Sequence, residues 1–242
     1  MKSIKSFIPN AISFLNLNAG VVAVIAAIEG QLELSVVMIF LGIFFDFFDG
    51  MAARLLKVTS PLGVQLDSFA DLITSGLAPG LLLMQLIAHA HFGIGHQLSL
   101  IQALMAYPPV LIGLFVPMGS AYRLGVFNLD DTQSDSFVGL PTPANALLIA
   151  SLVLIESYEA SSIIAPIFQN QYVLIALAVV SAFILNAPVR LFSFKFKNLT
   201  FSANKKRYFF ILLTIVLLIV LKWTALPLLI ISYILLGSWR NV

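Results

Sequence analysis

Four carboxylates crowd one short stretch of this chain, DFFDGMAARLLKVTSPLGVQLDSFAD, residues 46–71. Asp46 and Asp49 are three apart, and Asp67 and Asp71 are four apart. Either spacing puts a pair on one helix face. The flanking segments, LSVVMIFLGIFF and LITSGLAPGLLLMQLIA, are apolar enough to lie in a bilayer. A charge at membrane depth costs a few kcal/mol, about 2.5–3.5 on insertion scales. Four acids converging there would also repel one another. Arg54 and Lys57 are the only cations close by in sequence, too few to neutralise them as salt bridges. Divalent cations with a taste for hard oxygen ligands, Mg²⁺ or Mn²⁺, answer the problem. Two such ions about 4 Å apart grip phosphate oxygens on both sides of a displacement. The small residues Gly50, Ala52, Ala53 and Gly63 leave room for a ligand beside the acids.

The elements that must position these residues are membrane helices. Of the 242 residues, 60% are hydrophobic and only 10% charged, and the mean hydropathy is +1.02. A soluble domain is nearer half apolar, with about a quarter charged. The composition predicts an all-α, polytopic helix bundle. Cysteine is absent, which excludes disulfides and thiolate metal sites. The first apolar segment runs on into the bundle without a cleavable signal pattern. Residues 1–9, MKSIKSFIP, are expected to lie along the membrane surface. Eight spans are predicted, near 10–29, 33–56, 62–89, 99–125, 141–156, 170–187, 207–222 and 224–240. The last two are separated only by Lys222-Trp223 and Pro227, so one long bent helix is the alternative. With both termini in the cytoplasm, twelve of the thirteen Lys and Arg residues fall inside and only Lys222 outside, as the positive-inside rule requires. The acids then sit near the cytoplasmic ends of spans two and three.

Other polar residues gather toward the same face. Pro9-Asn10-Ala11-Ile12-Ser13 opens span one, and Asn16 and Asn18 follow it. Inside an apolar helix such amides need partners, either a ligand or another helix. Ser60-Pro61 has the form of an N-cap with proline at the first helical position, and a helix N-terminus also suits an anion. Gly50 lies between Asp46 and Arg54 at four-residue steps, where bare backbone permits close approach by a ligand. Arg54 reads equally as a cytoplasmic anchor. Gly119 to Asn128 ends span four, and Phe137-Val138-Gly139-Leu140-Pro141-Thr142-Pro143 leads into span five.

The run Asp-x2-Asp-Gly-x2-Ala-Arg-x8-Gly-x3-Asp-x3-Asp, beginning at Asp46, resembles the signature of the CDP-alcohol phosphotransferases, a family of integral membrane enzymes. Arg123-Leu-x-x-Phe-Asn128, then Phe137-x-Gly-Leu-Pro-x-Pro143, then Phe192-Ser-Phe-Lys195-Phe-Lys197, resemble its bacterial and archaeal phosphatidylserine synthase branch. Val126 departs from the second arginine expected there. The resemblance covers nearly the whole chain. It implies one membrane domain over 1–242, with a six-helix core at about 9–190 and extra C-terminal helices at about 205–240. It implies transfer of phosphatidyl from CDP-diacylglycerol to the hydroxyl of L-serine, releasing CMP. By position, Asp46, Asp49, Asp67 and Asp71 would be ligands to two Mg²⁺ or Mn²⁺ ions, with Asp71 also the general base. Asn10 and Ser13 match a Pro-Asn-x-x-Thr/Ser element that contacts cytidine diphosphate. Gly50, Ala53, Arg54, Ser60 and Gly63 match other donor-side positions. Membrane lipid, a homodimer and the cell membrane, with the site facing the cytoplasm, are further implications; nucleic acid is not a partner.

The serine carboxylate needs a cation. Arg123 is the candidate, with Asn128 in support, although a topology anchor would also be arginine. Sister enzymes accepting glycerol 3-phosphate or inositol phosphate should need more basic residues around the pocket. A cation-coupled transporter would instead place acids at the midplane with internal repeats. His89, His91 and His96 fall at the opposite face and read as flexible loop residues. Lys195 and Lys197 read as loop charges, and Asp130, Asp131 and Asp135 as a solvated patch.

Overall fold

A computed structural model describes residues 2–58, 60–129, 137–163, 165–191 and 212–238 of the chain. Asp130, Asp131, Asp135, Lys195, Lys197 and Arg240 lie outside the described residues. The described fold is helical apart from two residues of β-strand at either side of one pairing. Helix α1 (Lys2–Ile28) turns at Gly30 into α2 (Leu32–Leu56). Then α3 (Pro61–Asp71), a π-helical turn (Leu72–Leu77) and α4 (Ala78–Phe92) form one continuous rod. Helix α5 (Leu100–Ala106), a 3-10 segment (Pro108–Leu114) and α6 (Phe115–Leu129) follow. The rest comprises α7 (Thr142–Tyr158), the short α8 (Ala165–Phe168), α9 (Gln171–Asn186), α10 (residues 212–221) and α11 (Ala225–Ser238). Strands β1 (Phe137–Val138) and β2 (Arg190–Leu191) pair antiparallel.

Among the described residues, five helical stretches are long and apolar enough to cross a membrane: Phe7–Ile28, Leu32–Leu56, Pro61–Phe92, Pro108–Leu129 and Leu212–Ile234. Helices α7 and α9 are apolar but shorter, and the protein is membrane-embedded. The rod from Pro61 to Phe92 is 78% buried over its most apolar window, against 22–39% for the other four. It is therefore the axis of the bundle, and its Leu82, Leu83 and Ile87 share one apolar core with Ile149 and Leu152 of α7 and Leu174 of α9. Large apolar side chains such as Val37, Phe44 and Phe47 of α2 point outward, as expected where the solvent is hydrocarbon.

Several expected boundaries need correction. The N-terminal residues do not form a separate surface helix, because α1 continues through Pro9. A proline removes one N–H and can bend a helix without ending it. The single span expected at 99–125 is broken at Tyr107, where Pro108-Pro109 force a 3-10 segment. Near the C-terminus, α10 and α11 are distinct helices, separated by Lys222 in the left-handed region (φ 48°) and one 3-10 turn. Glu159, just past α7, accepts from Trp223 N and Thr224 N at 3.0 Å each. This carboxylate satisfies the first free N–H groups of the α11 end. Tyr233, further along α11, packs with Leu140 and Ala144 at the start of α7. Helix α11 thus runs back antiparallel to α7.

The face carrying Glu159 also holds the histidines. His89 and His91 are not loop residues: both lie in the last turns of α4. His89 Nδ1 meets Glu156 Oε2 at 2.9 Å, and His91 stacks on Tyr107 with ring centroids 3.7 Å apart. Tyr158 donates to Glu33 at 2.9 Å. These contacts tie α4, α7 and α2 at the end of the bundle remote from the aspartates.

Candidate functional site

The acids come from the facing ends of α2 and α3. Helix α2 stops at a Schellman turn in which Lys57 N bonds to Arg54 O (3.2 Å) and Val58 N to Ala53 O (3.0 Å). Lys57 takes the left-handed conformation this turn requires, φ 52° and ψ 43°. Helix α3 restarts at Ser60, whose hydroxyl accepts from Gly63 N at 3.0 Å, with Pro61 in the first turn. So tight a reversal returns α3 alongside α2, and each acid pair faces the other.

Carboxylate oxygens of Asp46, Asp49 and Asp67 all lie within 4.8 Å of one another. Asp49 is 5% exposed, and Asp46 and Asp67 are half-buried. Among the described residues no Lys or Arg forms an ion pair with them; the one pair found is His89 with Glu156. Asp67 Oδ1 is buried with no partner. Three acids this close require a shared proton or a cation between them. Their all-oxygen donor set suits a hard divalent ion. The residues present therefore fit the expected metal.

Asp71 lies beside this trio, near enough to act on the charges of Asp46 and Asp67. It is 9% exposed and accepts from Asn16 Nδ2 at 3.2 Å. The Arg123 guanidinium lies near enough to act on its charge. Asn16 is held in turn by the π-helical turn, where Thr74 Oγ1 donates to Asn16 O at 3.1 Å. Extra residues in a π turn rotate the rod's face, and such turns recur at functional sites. Here the rotation carries Thr74 against α1 and Gly76 against Ser120 of α6. Asn16 was legible in sequence as an amide needing a partner, but the partner was not.

Beside the trio lies a pocket of about 160 Å³. Six of the seven expected donor-side residues line it: Asn10, Ser13, Gly50, Ala53, Ser60 and Gly63. Ser13 donates to Asp49 Oδ2 at 2.6 Å and to Pro9 O at 3.2 Å. A β-carbon at Gly63 would stand 3.1 Å from both Asn10 Oδ1 and Ser60 Oγ, so the glycine keeps these polar atoms at the pocket wall. The seventh residue, Arg54, is exposed and does not line the pocket.

Of the expected acceptor-side residues, Arg123 is buried (8% exposed) with Nε and Nη2 unpartnered. Asn128 is engaged elsewhere: its Nδ2 donates to Ser68 Oγ at 2.9 Å, and its Oδ1 lies 3.2 Å from the same hydroxyl. Two buried side chains escaped the sequence reading. Tyr233 of α11 comes near Arg123. Asn145 of α7 is fully buried with neither end of its amide partnered. The available signal for Asn145 was a lone amide in an otherwise apolar helix.

Comparison with known proteins agrees with this architecture. The family model described as CDP-alcohol phosphatidyltransferase matches residues 6–185. A Bacillus subtilis protein named CDP-diacylglycerol--serine O-phosphatidyltransferase is 33% identical over 147 residues, covering 61% of this chain and 75% of that protein. A Helicobacter pylori protein of the same name is 32% identical over 151 residues, 62% of this chain but only 58% of the relative. An archaetidylserine synthase of Methanothermobacter thermautotrophicus is 30% identical over 165 residues, 66% of this chain and 64% of that protein. With three quarters of the sequence inside the family match, the acid trio included, the chain belongs to the CDP-alcohol phosphatidyltransferase family.

Proposed function

We propose that this protein transfers the phosphatidyl group of CDP-diacylglycerol to the hydroxyl of L-serine, giving phosphatidylserine and CMP. The observation that carries the reading is the acid trio opening onto the pocket lined by Asn10, Ser13 and Gly63. The names of the relatives supply the acceptor. Asp46, Asp49, Asp67 and Asp71 would hold divalent cations. When bound, the ions supply positive charge to the pyrophosphate and to the departing CMP. Ser13 orients Asp49 by its 2.6 Å hydrogen bond. Asn10, Ser60 and the backbone at Gly50, Ala53 and Gly63 receive the nucleotide side of the donor. Arg54, being exposed, serves as an anchor at the membrane surface instead.

Asp71 is the general base in this reading. It is fixed by Asn16 and is shielded from water. It takes the proton of the serine hydroxyl as the new oxygen–phosphorus bond forms and the bond to CMP breaks. Arg123 receives the serine carboxylate with its free guanidinium nitrogens. The mutual contact of Asn128 and Ser68 gives Asn128 a supporting role, bracing α6 against α3 beside Asp67.

We also propose that the site faces the cytoplasm of the cell membrane and that eight helical crossings bring both termini inside. The supporting pattern is the excess of Lys and Arg on that side. The resemblance implies a homodimer, readable from the mass of the solubilised particle. The deciding experiment is an acceptor screen with purified protein, CDP-diacylglycerol and Mg²⁺ or Mn²⁺. CMP release should need serine and stop with EDTA. Release with glycerol 3-phosphate or inositol phosphate instead would move the enzyme to a sister activity. No release with any acceptor would end the reading.

A further inference from the structure

Behind Asp71 lies a second set of polar side chains. Arg123 Nε and Nη2, both ends of the Asn145 amide, and the hydroxyls of Ser75, Ser120 and Ser181 are all buried without partners. None of these residues is more than 8% exposed. Native interiors satisfy the great majority of such groups, so several gathered in one region point to a polar ligand.

The fold brings them to one level of the bundle. The end of α9 anchors two neighbours at once. Asn186 Nδ2 donates to Gly119 O of α6 at 3.0 Å, one turn before Arg123. Leu140 N donates to Ile184 O at 3.0 Å, just before the helix that carries Asn145. Gly139 allows this joint: its φ is +78°, and the Leu185 carbonyl occupies the space a side chain would need. Tyr233 then ties the two sides, packing near Ala144 and lying close to Arg123. The π-helical turn is packed between α6 and α7 and carries Ser75 and Asp71 into the same region.

The chemistry of the set is specific. A guanidinium with two free nitrogens matches a carboxylate. An amide oxygen at the same level of the bundle can accept from an ammonium group. A phosphate-bearing acceptor would call for further cations, and Arg123 is the one cation buried here among the described residues. We propose that Asn145 determines acceptor specificity, its Oδ1 accepting from the α-ammonium of a zwitterionic hydroxy-amino acid whose carboxylate Arg123 binds. This rests on the serine-transfer reading above and adds to it the group that reads the amine.

The test compares L-serine with 3-hydroxypropionate, which lacks the amine, using purified full-length protein with CDP-diacylglycerol and Mn²⁺. Wild type should strongly prefer serine. Asn145→Leu should raise the KM for serine about 10- to 100-fold, the range for losing a hydrogen bond to a charged group. It should leave the KM for CDP-diacylglycerol within twofold and lose most of the preference over 3-hydroxypropionate. A purely structural role would lower kcat without changing that preference. An unchanged KM for serine and unchanged preference overturn the proposal. Should Asn145→Leu not give monodisperse protein, Asn145→Ser is measured by the same criteria. If wild type does not use serine at all, the serine-transfer reading fails; if it does and the variants behave as wild type, only the role of Asn145 fails.

Discussion

Substituting Gly42, in the middle of α2, tests whether packing remote from the acids controls Asp71. Gly42 meets Thr74 of the π-helical turn and Asn16 of α1. A β-carbon there would collide with Thr74 Cγ2 and stand 2.9 Å from Asn16 Oδ1. Alanine should favour a helix over glycine by about 1 kcal/mol. Overpacking a closed interface costs about 1–3 kcal/mol, so Gly42→Ala should be destabilised by up to about 2 kcal/mol. For a chain of this size that lowers the melting temperature by up to about 8 °C. The larger effect should fall on turnover. Displacing the Asn16 amide breaks its 3.2 Å bond to Asp71. A hydrogen bond to a charged group is worth about 1.5–3 kcal/mol, so CMP release should fall about 10- to 100-fold. Thr74→Ser removes the colliding methyl and keeps the hydroxyl that bonds Asn16 O, so the double variant should recover much of both losses. The assays are thermal unfolding in detergent and CMP release from CDP-diacylglycerol with serine. Gly42→Ala protein that melts at or above wild type and turns over normally would refute this account of how Asp71 is placed.

Two shorter predictions follow from the same region. Asp71→Asn keeps an oxygen to accept from Asn16, so its melting temperature should match wild type while CMP release falls about 100- to 10,000-fold, the share of a general base; residual turnover within tenfold of wild type would remove Asp71 from that role. Lys57→Gly should raise stability by about 1 kcal/mol, because a left-handed residue with a side chain is strained at φ 52°; a lower melting temperature would show that Lys57 makes a contact outweighing that strain.

What was legible in the sequence was local. The three- and four-residue spacings of the acids survive as two facing helix ends, because the Ser60-Pro61 cap and the short loop leave the chain few ways to turn. The apolar runs marked the long helices for the same reason. Misreadings arose where tertiary packing overrides local signals. Pro9 did not end α1, while Pro108-Pro109 did interrupt the fourth apolar run. The π-helical turn carries no obvious composition, yet it faces Thr74 toward Asn16. His89 reads as a loop residue until Glu156, sixty-seven positions away, is seen to pair with it. Arg54 fits a donor motif by spacing but is exposed and does not line the pocket. Asn128 is spoken for by Ser68, and Asn145 has no local motif at all.

The family match ends at residue 185, yet Tyr233 belongs to the helix pair beyond it. Fastened at one end by Glu159, that pair brings Tyr233 close to Arg123. Cutting the protein back to the shared region would uncover a guanidinium to acyl chains. Grafting another member's tail onto this body would alter the surroundings of Arg123 without touching a single aspartate, through a segment that lies outside the family match.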